Sequence, residues 1–483
     1  MSDAVVIGAG LGGLCVGAHL KKADFNDFVI LEKATRVGGT WRENTYPGCA
    51  CDVPVALYQF SFAKTLKWSH LFPRAAEVQQ YTEDLADQFG LRPHLKVGTG
   101  GRSATWDEAR SVWKVTDAQG GTYESKALVV ALGQLNRPQL PAIAGRESFA
   151  GPAFHSAQWN HSVDLTGKRV GIIGSAASAV QIIPEVAKIA GHLTVYQRTA
   201  NWLLPRLDRP ITENERRVLA SVPEVGSAER EHLYLLFDAV FYQAFGFTEA
   251  GRAHFTEQAI NLLNTQVSDP ELRRKLTPNY PIGCKRILFA DDYYPALMRD
   301  NVTLETTAID RIVPEGIVTK EGVTHQHDVL VYATGFETTG WHLSVDISGR
   351  GGIKLADAWK DGAKAYLGLT VANFPNMFLI YGPNTNLGHN SITFMIERQT
   401  EYIIQCLKAM EARKFAAIEV TESAQKRFNS QIQDRLAKMT WADPGCSSWY
   451  KTNDGLNTQN WSGDTREYRE ATREVQWQDY TVR

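Results

Sequence analysis

At 483 residues the chain exceeds one ordinary domain, so two or three domains are expected. A composition of 43 % hydrophobic and 22 % charged residues is that of a soluble globular protein, and a net charge of −2 gives no electrostatic case for nucleic acid or an anionic membrane. No apolar run reaches the roughly 18 residues a spanning helix needs, and a buried-type strand begins at Ala4, which leaves no room for a signal peptide.

Ala4-Val5-Val6-Ile7 reads as a buried parallel strand. Gly8-Ala9-Gly10-Leu11-Gly12-Gly13 follows, then an apolar helix through Leu20 and a second strand, Phe28 to Leu31, ending at Glu32. In such a βαβ unit Gly8, Gly10 and Gly13 permit the tight turn and bring backbone against a pyrophosphate at the helix N-terminus. An acid in the place of Glu32 accepts hydrogen bonds from an adenosine ribose. The Gly-, Pro- and aromatic-rich stretch from Gly38 to Asp52 is too irregular for a helix or strand, and loops of that length are usually functional. Its flat side chains suit covering an isoalloxazine ring. Asp52 is the carboxylate of interest there; a turn-forming role before Val53-Pro54 is the plainer alternative.

Residues from about Ala75 to Phe89 read as a helix, and those from Leu95 to Val130 as a small β meander. Ala127 to Gly133 is a buried strand returning to the first nucleotide. The string Phe149 to Trp159, with Gly151, His155 and Trp159 at fixed spacing, lies between two nucleotide-binding patterns and reads as a hinge.

The second pattern opens with the strand Lys168 to Ile173, continues through Gly174-Ser175-Ala176-Ala177-Ser178 and enters a helix through Ala190. Its next strand, Leu193 to Gln197, ends in Arg198-Thr199 rather than an acid. A cation and a hydroxyl there accommodate a 2′-phosphate, which favours NADPH over NADH. Ala176 stands where the middle glycine is expected and adds a methyl group at the pyrophosphate. Residues 212 to 275 are dominated by helical patterns and read as a packed insertion, including the apolar Leu233 to Tyr242. Cys284-Lys285-Arg286 places two cations behind a Pro and a Gly. Asp328 to Gly335 is a further strand ending in small residues, Ala333 and Thr334 among them. Gly382 to Asn390 precedes a long helix from about Ile392, whose dipole would favour an anionic flavin edge. The aromatic tail, with Trp441, Trp449, Tyr450, Trp461 and Tyr468, reads as ordered covering structure.

Six cysteines, Cys15, Cys49, Cys51, Cys284, Cys406 and Cys446, are scattered without a C-x-x-C. Neither a disulfide reductase nor a zinc site is supported, and a reducing, cytoplasmic setting is expected.

With these residues in hand, the chain resembles the flavin-dependent Baeyer–Villiger monooxygenases, within the class B flavoprotein monooxygenases, from Val5 to about Tyr468. The likeness rests on Gly39-x-Trp41 through Tyr46-Pro47-Gly48 to Asp52, on Phe149 to Trp159, on Cys284-Lys285-Arg286 and on Ser448-Trp449-Tyr450. Gly133 to Pro138 and the tail around Asn460-Trp461 look most like the 4-hydroxyacetophenone monooxygenase branch. The resemblance implies an α/β fold of two Rossmann-like dinucleotide-binding domains, one for FAD and one for NADP, with a helical insertion in the second. The expected limits are 1–145 for the first FAD part, 146–329 for the NADP domain with its insertion at about 212–275, and 330–483 for the second FAD part and covering segment.

By the same resemblance Arg286 is the active-site arginine and Asp52 the carboxylate that holds it. Lys285, Arg198 and Thr199 are the 2′-phosphate contacts, Gln181 lies near the NADP pyrophosphate, and Trp449 sits on the mobile loop over NADP. Thr40, Trp41, Ser175, Ser178, Ala333, Thr334 and Asn390 complete the expected cofactor contacts. The sequence departs from the family pattern at Asn160, Ala176 and Ala131-Leu132-Gly133. NADPH would reduce FAD, O2 would add at flavin C4a, and the peroxide would attack a ketone carbonyl to give an ester or lactone. A fixed guanidinium would stabilise the negative oxygen that develops. The expected partners are a small ketone and O2, in a monomer or homodimer. The rival readings are an N- or S-oxygenating flavin monooxygenase and a non-oxygenating NADPH flavoprotein reductase or redox-sensing binding protein.

Overall fold

The computed structural model describes residues 1–245, 248–338, 340, 344–452 and 454–483. Its architecture is mixed α/β, organised around two separate sheets, the first mixed and the second all parallel. In the first, the strand Ser2–Ile7 lies between Phe28–Leu31 and Thr122–Val130, parallel to both. Ala4 to Ile7 are all buried, as expected where helices and sheet cover both faces of a strand. The helix Leu11–Lys22 makes the crossover, and Ala75–Gln88 packs nearby as the sequence predicts.

The expected meander is present as Gly101–Asp107, Val112–Asp117 and Thr122–Val130, paired antiparallel. Its last strand and the predicted returning strand are one unbroken element. Its first half pairs with the meander and its second half with Ser2–Ile7 and Met377–Leu379, so a late segment of chain closes the first sheet. The loop from Gly38 to Asp52 differs from expectation in containing one helical turn, Thr40–Glu43.

The second sheet runs Val302–Glu305, His192–Tyr196, Arg169–Ile173, Val329–Tyr332, Ala153–His155, and every pair is parallel. Val329–Tyr332 therefore pairs wholly within the second sheet, although the sequence-drawn limit at 329 cuts it. The string read as a hinge forms the edge strand Ala153–His155 followed by a 3₁₀ turn, Ser156–Gln158. Gly151 enters that strand where any Cβ would come within 2.5 Å of the Asp328 carbonyl oxygen. His155 is buried, and Phe154 meets Trp159 edge to face at 5.1 Å.

The insertion consists of the helices Glu213–Ser221, Pro223–Val240, Glu249–Gln266 and Pro270–Leu276. Pro223–Val240 buries Arg230, Tyr234 and Asp238 while leaving Leu235 and Leu236 exposed. The face this helix buries is thus polar in part. The tail is ordered: Trp441, Tyr450, Trp461 and Tyr468 are buried in one apolar cluster with Ile282 and Cys284.

Candidate active site

Both glycine turns have the shape a dinucleotide needs. Gly8 adopts φ +105°, and a Cβ there would lie 2.4 Å from the Ala131 carbonyl oxygen. A Cβ at Gly13 would lie 1.8 Å from the Gly8 oxygen. Gly10 caps the first helix without any side-chain bond, so its first amides remain available to a pyrophosphate. Glu32 is buried and rigidly held: its carboxylate accepts from the amides of Ala9 and Ala34, each at 2.9 Å, and meets Arg42 at 3.1 Å.

The second turn repeats this construction. Gly174 adopts φ +115° with the Ala333 oxygen 2.3 Å from where a Cβ would stand. Ala176 caps the helix Ala177–Ile189 at φ −86°, a conformation open to any residue, so the departure from glycine adds a methyl group without backbone strain. Ser175 Oγ donates to the Thr199 carbonyl at 3.2 Å, which ties the glycine turn to the Arg198-Thr199 strand end. Thr334 Oγ1 donates to the Gln139 carbonyl. Arg198 is exposed and close enough to Lys285 for the two charges to repel. Burial first, and then Arg198, hold the Lys285 ammonium below its usual range. Its Nζ lies 4.5 Å from the centre of the Tyr280 ring. Neither cation makes an ion pair among the described residues, so together they are suited to an external anion.

Gln181 joins the two nucleotide halves. Its Nε2 donates to the Ala50 carbonyl at 2.9 Å, and its Oε1 accepts from the Tyr46 hydroxyl at 3.1 Å and the Ala50 amide at 3.3 Å. These bonds engage the side chain expected near a pyrophosphate. Ser178 also faces the Tyr46 hydroxyl. On the other side Gly39, at φ +56°, passes over Gly10, and Trp41 Nε1 donates to the Tyr58 hydroxyl at 3.0 Å.

Asp52 and Arg286, 234 residues apart, meet in a two-point bond: Nε to Oδ2 at 2.6 Å and Nη2 to Oδ1 at 2.8 Å. Their side chains retain 27 % and 29 % exposure, so the pair is enclosed on most sides with one edge open. Burial opposes the charged form of Asp52, but the charge and hydrogen bonds of Arg286 outweigh it and hold the carboxyl below its usual range. Burial likewise opposes the guanidinium, and Asp52 overrides it and raises the arginine further. Both groups are therefore ionised at neutral pH. Both residues line a small cavity shared with Phe237, Phe241, Phe289, Gly388, His389 and Asn390.

Two features of this cavity were not read from the sequence. Two of the wall residues, Phe237 and Phe241, come from the helical insertion as i, i+4 neighbours on Pro223–Val240 and the turn after it, and Phe289 comes from the strand Leu288–Phe289. Asp238, buried on the same helix, accepts from Asn390 Nδ2 at 2.8 Å and from the Thr465 hydroxyl, and His389 Nε2 stands 3.3 Å away. Asn390, expected at the cofactor, thus turns its side chain to the insertion. An acid inside the apolar run Leu233 to Tyr242 was the only signal of this junction. Trp449 is 40 % exposed, whereas Tyr450 is buried and feels the charge of Arg286.

The cysteine expectation changes. Cys284 and Cys446 form a disulfide across a sequence separation of 162 residues, with Cα atoms 5.4 Å apart, while Cys15, Cys49, Cys51 and Cys406 are free and buried. Spacing reveals only short-range pairs, so a bridge closed by tertiary packing leaves no local motif.

A family model described as pyridine nucleotide-disulphide oxidoreductase matches residues 5–215. A Baeyer-Villiger monooxygenase of Pseudomonas aeruginosa is 42 % identical over 472 residues, covering 97 % of this chain and 89 % of that protein. A Baeyer-Villiger monooxygenase of Streptomyces coelicolor is 39 % identical over 480 residues, covering 99 % and 92 %. Among solved structures, cyclohexanone monooxygenase from Rhodococcus sp. Phi1 bound to NADP+ is similar with a TM-score of 0.90 and 29 % identity, over 100 % of this chain and 99 % of that one. Oxidized steroid monooxygenase bound to NADP is similar with a TM-score of 0.90 and 31 % identity, over 99 % of each chain.

Proposed function

The chain belongs to the Baeyer–Villiger monooxygenases, NADPH-dependent FAD enzymes, and we propose that Arg286 and Asp52 carry its oxygen insertion. FAD belongs at the turn Gly8 to Gly13 with Glu32 on the ribose, and NADPH at Gly174 to Ser178 with Arg198 and Lys285 on the 2′-phosphate. The closely packed turns and two cations that make no ion pair among the described residues support both assignments. When bound, these cofactors supply the reducing electrons and the site of oxygen activation.

The observation that carries the proposal is the two-point Asp52–Arg286 bond opening onto an aromatic-walled cavity. Asp52 fixes the plane of the guanidinium and keeps its proton in place. The free edge of Arg286 then faces the carbonyl oxygen as it gains negative charge during attack, in a site from which the phenylalanines exclude water. One oxygen is then inserted beside the carbonyl of a ketone. The proposal includes a monomer or homodimer in a cytoplasmic setting.

Arg286→Ala tests the assignment. The variant should retain its FAD yet form about 10²–10³-fold less ester or lactone per unit time. Ester formation at the wild-type rate would remove Arg286 from the chemistry. A panel of ketones, amines and sulfides given to the wild-type enzyme separates ketone oxygenation from oxidation of soft nucleophiles.

A further inference from the structure

The disulfide lies where the two halves of the site meet. Cys284 is two residues before Arg286, and Cys446 is three residues before Trp449. Each half-cystine sits in a closed turn: the Cys284 amide donates to the Pro281 carbonyl at 3.2 Å, and the Cys446 amide to the Asp443 carbonyl at 2.9 Å. The bridge therefore joins two stiff turns and transmits position from one to the other. Both cysteines are buried in the cluster that holds Trp441 and Tyr450. Tyr450 packs on Trp449 at 4.3 Å and on Trp441 at 6.0 Å, and lies near the Arg286 charge. Trp449 itself has no such enclosure, so its placement depends on its neighbours.

We propose that the Cys284–Cys446 bridge is a positioning element that fixes the Trp449-Tyr450 cover on the Arg286 loop, and that dithiol reduction of it loosens that cover. Reduction breaks the Sγ–Sγ bond. An external dithiol supplies two electrons and two protons, the cysteines become thiols, and the dithiol becomes its own disulfide. The inference rests on the reading that Arg286 and Trp449 face the bound cofactors. A looser cover would hold NADP+ less firmly and let the two electrons taken from NADPH pass to O2 and leave as hydrogen peroxide instead of oxygenated product.

The test uses the FAD-loaded full chain isolated in air. Thiol titration after denaturation should find the four free cysteines before reduction and all six after it, and a non-reducing peptide map should show the 284–446 crosslink. Dithiothreitol should then raise the Kd for NADP+ at least fivefold and the peroxide released per NADPH at least threefold, with FAD content unchanged. The double variant Cys284→Ser, Cys446→Ser should show both values without reductant and no response to it. Six thiols in the air-isolated protein, or a bridge whose reduction leaves both quantities within twofold, would overturn the inference. If the double variant fails to hold FAD, the reductant titration of the wild type decides alone. Loss of NADP+ affinity on reduction in an enzyme that oxygenates no ketone would refute the proposed reaction and leave this inference standing.

Discussion

Arg286 is useful because its geometry is fixed twice, once by its own planar fork and once by the matching carboxylate of Asp52. A lysine would keep the charge and lose the fork, so position rather than charge is what Asp52 supplies. His327 shows the opposite behaviour of a buried ionisable group. Its Nε2 shares a 2.7 Å hydrogen bond with the Tyr196 hydroxyl, and burial first, then the neighbouring His325, push its pKa from 6.5 down to about 4. A depressed histidine pKa means the folded state takes the proton later than the unfolded chain. Stability is therefore full above pH 6.5 and declines as pH falls toward 4. The loss expected from this group is about 2 kcal/mol at pH 5. Denaturant unfolding at pH 7.5 and pH 5 measures it, and His327→Gln should remove most of the difference.

At the scale of elements, the loop from Gly38 to Asp52 is clipped onto the helix Ala177–Ile189. Gly48 adopts φ +78° there, with the Gln181 carbonyl 2.4 Å from where a Cβ would stand. Gly48→Ala should cost about 1–3 kcal/mol of stability, read from its denaturation midpoint. Because Asp52 ends the same loop, product formation should fall with it. The strand end Arg198-Thr199 and the loop residue Lys285 come from distant stretches and make one cationic site. Removing one charge-assisted contact is worth about 1.5–3 kcal/mol. Arg198→Ala should accordingly raise the KM for NADPH about 10- to 100-fold and leave that for NADH unchanged. Steady-state kinetics with both cofactors would show this; an equal effect on NADH would place Arg198 away from the 2′-phosphate.

For the whole molecule, a bridge with a sequence separation of 162 residues restricts the unfolded chain strongly. The chain-entropy relation gives about 5 kcal/mol as its upper contribution. Thermal unfolding should begin at lower temperature in dithiothreitol than in air, and the Cys284→Ser, Cys446→Ser protein should unfold at one temperature in both. The bridge, the Asp238 junction and the late strand Met377–Leu379 all tie C-terminal chain to earlier elements. The tail is thus part of the site's support.

Much of this was legible in the sequence because its causes are local. Gly8, Gly13 and Gly174 carry positive φ or contacts that a Cβ cannot tolerate, so two dinucleotide turns announce themselves residue by residue. Strand and helix periods did the same for Ser2–Ile7, Arg169–Ile173 and the insertion. Arg286 and Asp52 were singled out by motif, but their contact across 234 positions exists only in the fold. The edge strand at Ala153–His155, the engagement of Gln181 and Asn390, the aromatic wall and the Cys284–Cys446 bridge had no spacing to betray them. A local period records what one element requires of its own residues; which distant side chains share a bond is decided when two sheets, an insertion and a tail are packed together.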